Sequence, residues 1–475
     1  MRFSFAFSPW ILGTLVGLLM SSAFFLDLPY LLLIPVVLGV VYFAFYHTSS
    51  LFLSLAFFTP LSINIEEYTN QFGLFIPTEP ILFGLMILLL FTQLQNSILP
   101  KGITKHPITL LLFAYIAWLL ICSIASTHPL ISIKSVISRL WYIIPCFLFG
   151  PIFFKDIRTI HRFFWLFCIG MCLVICYTVF NHALYGFGEK ESHWVMSPFY
   201  KDHTIYGAAI ALILPLPITL YLLKKQSALN KFILTAMTLI ILVGLYFSYT
   251  RAAWLSVLGA MLILVLVILR IKFKYVAVLF LVSSYFLINN YDSIQMELAR
   301  NKTEHTTEAF DERLQSAANV TTDASNLERI NRWSCALAMF KDRPVFGFGP
   351  GTYAFEYARF QEPENLTIIS TNFGDLGNAH SEYLSALSES GLLGFLLFTA
   401  FVSMIFYFQI TFIYKAKGID NASFVMGCGI LFSLSTYFIH AFLNNFLDTD
   451  KLAIPIFAML AITFVLHQRL LTQPK

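Results

Sequence analysis

Charge is what this sequence has least of. Only 12% of its 475 residues are Asp, Glu, Lys or Arg, about half the roughly 25% of an ordinary soluble domain. That deficit excludes a water-soluble globular chain. The net charge is +4 and no basic block occurs, so no nucleic-acid partner is implied. There is no glycine loop ending in Gly-Lys-Ser/Thr, no His-Glu-x-x-His and no paired Cys-x-x-Cys, which leaves an ATP-driven pump and a zinc hydrolase without support. Six of the seven cysteines (Cys122, Cys146, Cys168, Cys172, Cys176 and Cys428) lie in apolar stretches, where they act as small hydrophobes. Cys335 stands alone in the long polar interval, so that interval holds no internal disulfide.

What the chain has in abundance is long hydrophobic runs. Hydrophobic residues make up 58% of it and the mean hydropathy is +0.75. About 20 apolar residues span a bilayer as a helix, and lipid forces the backbone to satisfy its own hydrogen bonds. The expected fold is therefore all-α and polytopic, with about 12–14 transmembrane helices. Three regions are expected: N-terminal spans over 1–289, a large loop with short helices over 290–391, and C-terminal spans over 392–475. The apolar start, which mimics a signal peptide, is read as a retained first span because more spans follow at once. With both termini cytoplasmic, the inner short loops collect most of the lysines and arginines, among them Lys101, Lys105, Lys155, Arg158, Lys224 and Arg270. The 290–391 loop then faces outward, as do Arg251 and the polar stretch before His203.

The long polar interval carries the strongest patterns. After Asn326, expected as an N-cap, Ile330, Trp333, Leu337 and Phe340 recur at helical spacing and predict an apolar stripe. Arg329, four residues before Trp333, lies beside that ring. Pro344 ends the helix, and Gly347, Gly349 and Gly351 can bend tightly or admit a ligand to the backbone. His380 opens a second helical pattern with Tyr383, Leu384 and Leu387 on one face, and a neutral imidazole is a natural general base. Glu389 is nine residues on and about half a turn round, so no His–Glu pair is inferred. Arg251, at the end of an apolar span, is a candidate for a phosphate group. The Asp448-Thr449-Asp450 spacing suits a divalent metal with a nucleotide sugar, but it lies on the outer side, so no metal site is assigned.

Three of these pieces resemble one family. ERINRWSCALAMFKDRPVFGFGPGTYAF, then NAHSEYLSALSESGLLG, look like the signature region of the bacterial O-antigen ligase and polymerase family. SYTRAAWL is similar to its Ser-Arg-Gly-Ala-Trp segment, with Thr250 and Ala252 as departures, and Ser381 replaces an asparagine common after the histidine. The resemblance implies glycosyl transfer at the periplasmic face of the bacterial inner membrane. The donor is a glycan on undecaprenyl diphosphate, and the acceptor is lipid A-core or another glycan hydroxyl. No cofactor, metal or ATP is implied. By position, Arg251 and Arg329 hold the diphosphate and His380 is the base. Asn378, Tyr383, Glu389, Trp333, His203 and Lys201 are candidates for supporting or lining the site. Alternatives are an O-antigen polymerase extending the lipid-linked glycan, a protein O-oligosaccharyltransferase, and a polysaccharide transporter or flippase. The last predicts mid-membrane charges and an internal repeat, and neither is evident in the sequence.

Overall fold

The computed structural model describes residues 9–28, 33–66, 73–224, 226–272, 324–363 and 377–472, with isolated positions between them. Helices α1 (Pro9–Phe25), α2 (Leu33–Tyr46) and α3 (Thr48–Leu61) open the chain. A two-stranded hairpin, β1 (Ile63–Asn64) and β2 (Phe75–Ile76), pairs antiparallel with Ile63 opposite Ile76. Then come α4 (Thr78–Gln95), α5 (Pro107–Ile124), α6 (Pro129–Phe153), α7 (Ile157–Leu184), α8 (His203–Leu222), α9 (Ala228–Phe247) and α10 (Arg251–Ile268). After them lie α11 (Ala324–Asp342), α12 (Glu382–Ala416), α13 (Asn421–His440) and α14 (Asp450–Thr472). Among the described residues, ten helices (α4–α10 and α12–α14) are long and apolar enough to cross a membrane, with α2 and α3 as shorter apolar helices. The fold is an all-α polytopic membrane protein. Between 273 and 290 only isolated positions are described, and 291–323 of the expected loop lies outside the described residues.

Helix starts follow local chemistry. Asp156, Asp202, Ser227, Ser381 and Asp420 each accept a first-turn backbone N–H with the side chain, a cap worth about 0.5–2 kcal/mol. Close helix approach uses small residues. A Cβ at Gly170 of α7 would sit 2.4 Å from the Phe57 carbonyl oxygen of α3, and Phe52 of α3 stacks on Phe163 of α7 along the same seam. Helices α8 and α10 pack against α13, and α5 and α11 against α12, so these two late helices join the earlier spans to the polar interval.

The acidic pair near the C-terminus divides. Asp450 accepts hydrogen bonds from the Ser62 and Thr78 hydroxyls. Lys451 Nζ donates to the carbonyls of Thr59, Pro60 and Ser62 at 2.9, 3.2 and 2.6 Å. Both are buried and fasten the α3–α4 connection to α14, a paired arrangement that buried charges require.

Helix α12 is broken at Gly391, whose φ of 68° is left-handed. The segment after α11 docks into the break. The Phe348 and Gly349 N–H groups donate to the Ser388 and Glu389 carbonyls, and Leu392 N–H donates to Pro344 O. Trp118 Nε1 donates to Ser390 O. The carbonyls that the break releases are thereby paired, as buried backbone must be. The glycine-rich turn brings its backbone close to the protein's own helix. A Cβ at Gly391 would lie 2.1 Å from the Val345 carbonyl oxygen, and left-handed backbone alone costs an L-residue about 1–2 kcal/mol. Gly391→Ala is expected to lower the unfolding temperature of the purified protein clearly. Gly84→Ala, in a helix with nothing near its Cβ position, should leave it unchanged or raise it. Equal midpoints for Gly391→Ala and wild type would refute the docking.

Candidate functional site

Helix α11 turns its polar groups inward. Glu328, Asn331, Arg332, Cys335, Ala336 and Met339 are buried, whereas Leu337 is exposed. The expected stripe through Ile330, Trp333, Leu337 and Phe340 is therefore not the main buried face. The reason is that the polar residues bury as a set. Arg332 Nε meets Glu328 Oε1 at 2.7 Å, its Nη1 donates to the Asn378 carbonyl at 3.1 Å, and its guanidinium lies over the Tyr357 ring. Their helical neighbours pack on Phe348, Tyr353, Tyr357 and Ala379. The helix also begins before Asn326, so that residue is not the N-cap.

His380 precedes α12 rather than lying on its face. Its φ is 47°, a conformation that non-glycine residues adopt only when held. Three contacts hold this segment. The His380 N–H donates to Asn378 Oδ1 at 3.0 Å, Trp333 Nε1 donates to the His380 carbonyl at 3.2 Å, and Ser381 caps α12. Asn378 and Trp333 thus support His380 through its backbone. Burial, with Arg332 and Arg329 nearby, lowers the His380 pKa to about 4, so the imidazole is neutral at pH 7.

Arg251 is the first residue of α10, after a turn in which Tyr249 is also left-handed, with φ of 51°. Thr250 Oγ1 donates to the His203 carbonyl at 2.6 Å, which ties this turn to the start of α8. His203 lies within electrostatic range of both Arg251 and Arg329, and its ring sits 4.1 Å from that of His193. Arg329 in turn interacts with His203, His380 and His440. Arg329 is thus a charged group common to the surroundings of His203 and His380, with Arg251 in range of His203. Lys201 is exposed in the turn before α8.

Two neighbours of His380 went unread in the sequence. His380 Nδ1 is 3.2 Å from Asn444 Oδ1, and Asn444 Nδ2 is 3.1 Å from His440 Nε2. Both partners are almost fully buried. The available signal was a histidine and an asparagine four apart at the end of an apolar span, since polar groups there are a functional hypothesis by default.

Two other candidates point elsewhere. Tyr383 packs against Phe442 and Phe398. Glu389 is buried and accepts the Tyr353 N–H at 3.1 Å, supporting the chain after the glycine turn. Glu389 also lines a cavity of about 80 Å³ with Tyr115, Arg139, Glu382, Asn445 and Asp448; neither His380 nor the two candidate arginines line it. Arg139 lies within α6, with Nη1 3.4 Å from the Tyr115 hydroxyl. Asp448 keeps accessible surface because it faces this void, and its surroundings raise its pKa despite Arg139. Among the described residues no group of three or more His, Cys, Asp or Glu is arranged to hold a metal.

Residues 236–399 match the family model described as O-antigen ligase. This segment, about a third of the chain, is similar to that family's domain. The matched segment contains Arg251, Arg329, the glycine turn, His380 and the break in α12; His203, His440 and Asn444 lie outside it. No curated protein matches the chain.

Removing Arg332 leaves Glu328 buried without its partner, a change that typically costs about 3–5 kcal/mol. Arg332→Ala should therefore unfold at a markedly lower temperature. Arg332→Lys, which keeps the charge but not the planar fork, should fall between the two. A thermal melt of Arg332→Ala that overlays wild type would contradict this account of α11.

Proposed function

We propose that the chain is an O-antigen ligase-type glycosyltransferase. It moves a glycan from undecaprenyl diphosphate to a sugar hydroxyl of lipid A-core at the periplasmic face of the inner membrane. What supports this reading is that Arg329 lies within electrostatic range of both His380 and His203, and Arg251 within range of His203, in a chain whose residues 236–399 match the O-antigen ligase model. The lysine and arginine distribution supports cytoplasmic termini and an outward-facing site.

In this reading His380 takes the proton of the acceptor hydroxyl while that oxygen attacks the anomeric carbon. The bond from the anomeric carbon to the diphosphate oxygen breaks, and undecaprenyl diphosphate leaves with the electron pair. Arg251 and Arg329 stabilise the charge that builds on the leaving group, where preorganised donors matter most. The neutral imidazole is ready to accept a proton, and a general base typically supplies roughly 10²–10⁴ in rate. The diphosphate is already an activated leaving group, so the transfer needs no ATP.

Complementation of strains lacking either the ligase or the polymerase tests this reading. Wild type should restore long chains on lipid A-core in the ligase-null strain, and His380→Ala, Arg251→Ala and Arg329→Ala should abolish them at equal expression. A ladder restored only in the polymerase-null strain would assign the chain to polymerisation of the lipid-linked glycan. Full activity of His380→Ala in either strain would remove His380 as the base.

The pH profile gives a second test. The folded-state pKa of His380 lies near 4, below the ordinary 6.5, so the base form persists as pH falls through 6.5. The acid limb of kcat/KM should accordingly lie nearer pH 4 than 6.5, as measured with purified protein and donor in liposomes. A limb at 6.5 would show that a different group, or a solvent-exposed His380, controls the rate.

A further inference from the structure

We propose that Asn444 and His440 are positioning residues that hold His380 as the Nδ1–H tautomer and leave Nε2 to act as the base. This inference rests on the reading of His380 as the proton acceptor. The chain of contacts runs from His380 Nδ1 to Asn444 Oδ1 at 3.2 Å and from Asn444 Nδ2 to His440 Nε2 at 3.1 Å. A carboxamide has a polarity: its oxygen only accepts and its nitrogen only donates. With the oxygen toward His380, Nδ1 must carry the hydrogen and Nε2 keeps its lone pair. With the amide reversed, the nitrogen would donate to Nδ1, the hydrogen would move to Nε2, and the ring could not take a proton there.

His440 decides which way the amide faces. Its Nε2 faces the Asn444 amide, which leaves the buried Nδ1 to the backbone of Ala252, the backbone group that interacts with this ring. A carbonyl can only accept, so it favours a hydrogen on Nδ1 and a bare Nε2. The bare Nε2 requires the Asn444 nitrogen. Asn444 and His440 are 2% and 1% exposed, so water does not compete for these contacts, and an unpaired polar group there is costly. The relay also begins beside Arg251, whose next residue supplies the carbonyl. Orientation of a base by a third group is the general logic of activated catalytic sites.

The charged groups facing His380 are Arg332, Arg329 and Glu328 of α11. From the turn after α13 it meets the neutral Asn444, and behind that His440, which itself interacts with Arg329 and Asp202. Proton uptake at Nε2 makes an imidazolium whose Nδ1–H bond to Asn444 Oδ1 becomes charge-assisted and stronger.

The test uses the full chain in liposomes with undecaprenyl-diphosphate-linked glycan and lipid A-core. Asn444→Ala should lower kcat by roughly 10²-fold, the lower end of what a base contributes, with the donor KM within about threefold by the same logic of an effect confined to the transition state. Asn444→Asp keeps an acceptor on Nδ1–H and adds a negative charge. It should retain activity within about tenfold, while the acid limb of kcat/KM moves up by about one pH unit or more, as an adjacent carboxylate favours the charged ring. His440→Ala should lower kcat by an amount between those of the two Asn444 variants.

A merely structural role would not move the pH limb. An unmoved limb in Asn444→Asp, or an Asn444→Ala kcat within twofold of wild type, would overturn the relay even if His380→Ala is inactive. If His380→Ala is itself active, the base assignment fails, and the relay with it. If Asn444→Ala fails to fold, the limb of Asn444→Asp, with a melt matching wild type, decides alone.

Discussion

The break in α12 at Gly391 is the constraint on which the rest of the polar interval depends. A helix interrupted inside a membrane protein exposes carbonyl groups that neither lipid nor apolar side chains can satisfy. Here the partners are the N–H groups of Phe348 and Gly349 and the indole of Trp118. The docked segment is the direct continuation of α11, so closing the break also seats α11 against the first turns of α12. That seating puts Arg329, Arg332 and Trp333 next to His380. Gly347 must be a glycine for a related reason: a Cβ there would lie 2.3 Å from the Glu389 carbonyl carbon.

Much of this organisation was legible in the sequence. Apolar runs with little charge dictate a helical membrane protein, and the arginine, glycine and histidine spacings marked the segments that the structure brings together. Misreadings arose where polar residues satisfy one another. The stripe through Ile330, Trp333, Leu337 and Phe340 reads as the packed face, yet Glu328 and Arg332, four apart, are the buried pair, because the Asn378 carbonyl and the Tyr357 ring complete its surroundings. His440 and Asn444 carry no local motif. Their meaning comes from a contact across 64 positions, which spacing along the chain cannot express.

The electrostatics of the region bind these parts into one device. Burial and two guanidinium groups keep His380 neutral. On the proposed reading, Arg329 is also a ligand of the donor diphosphate, so the charge that depresses the base is the charge that recruits the substrate. When the diphosphate arrives, its negative charge offsets the field of Arg329 at the imidazole. In a site of low dielectric such changes act strongly over several ångströms. The ring then becomes a better proton acceptor at the moment the leaving group is in place. Before that, on this reading, the neutral imidazole is a weaker base, poorly suited to activating water against an empty site. On the proposed reading base strength is tied to donor occupancy without any movement of the backbone, and the left-handed, doubly anchored His380 segment is suited to such a fixed arrangement.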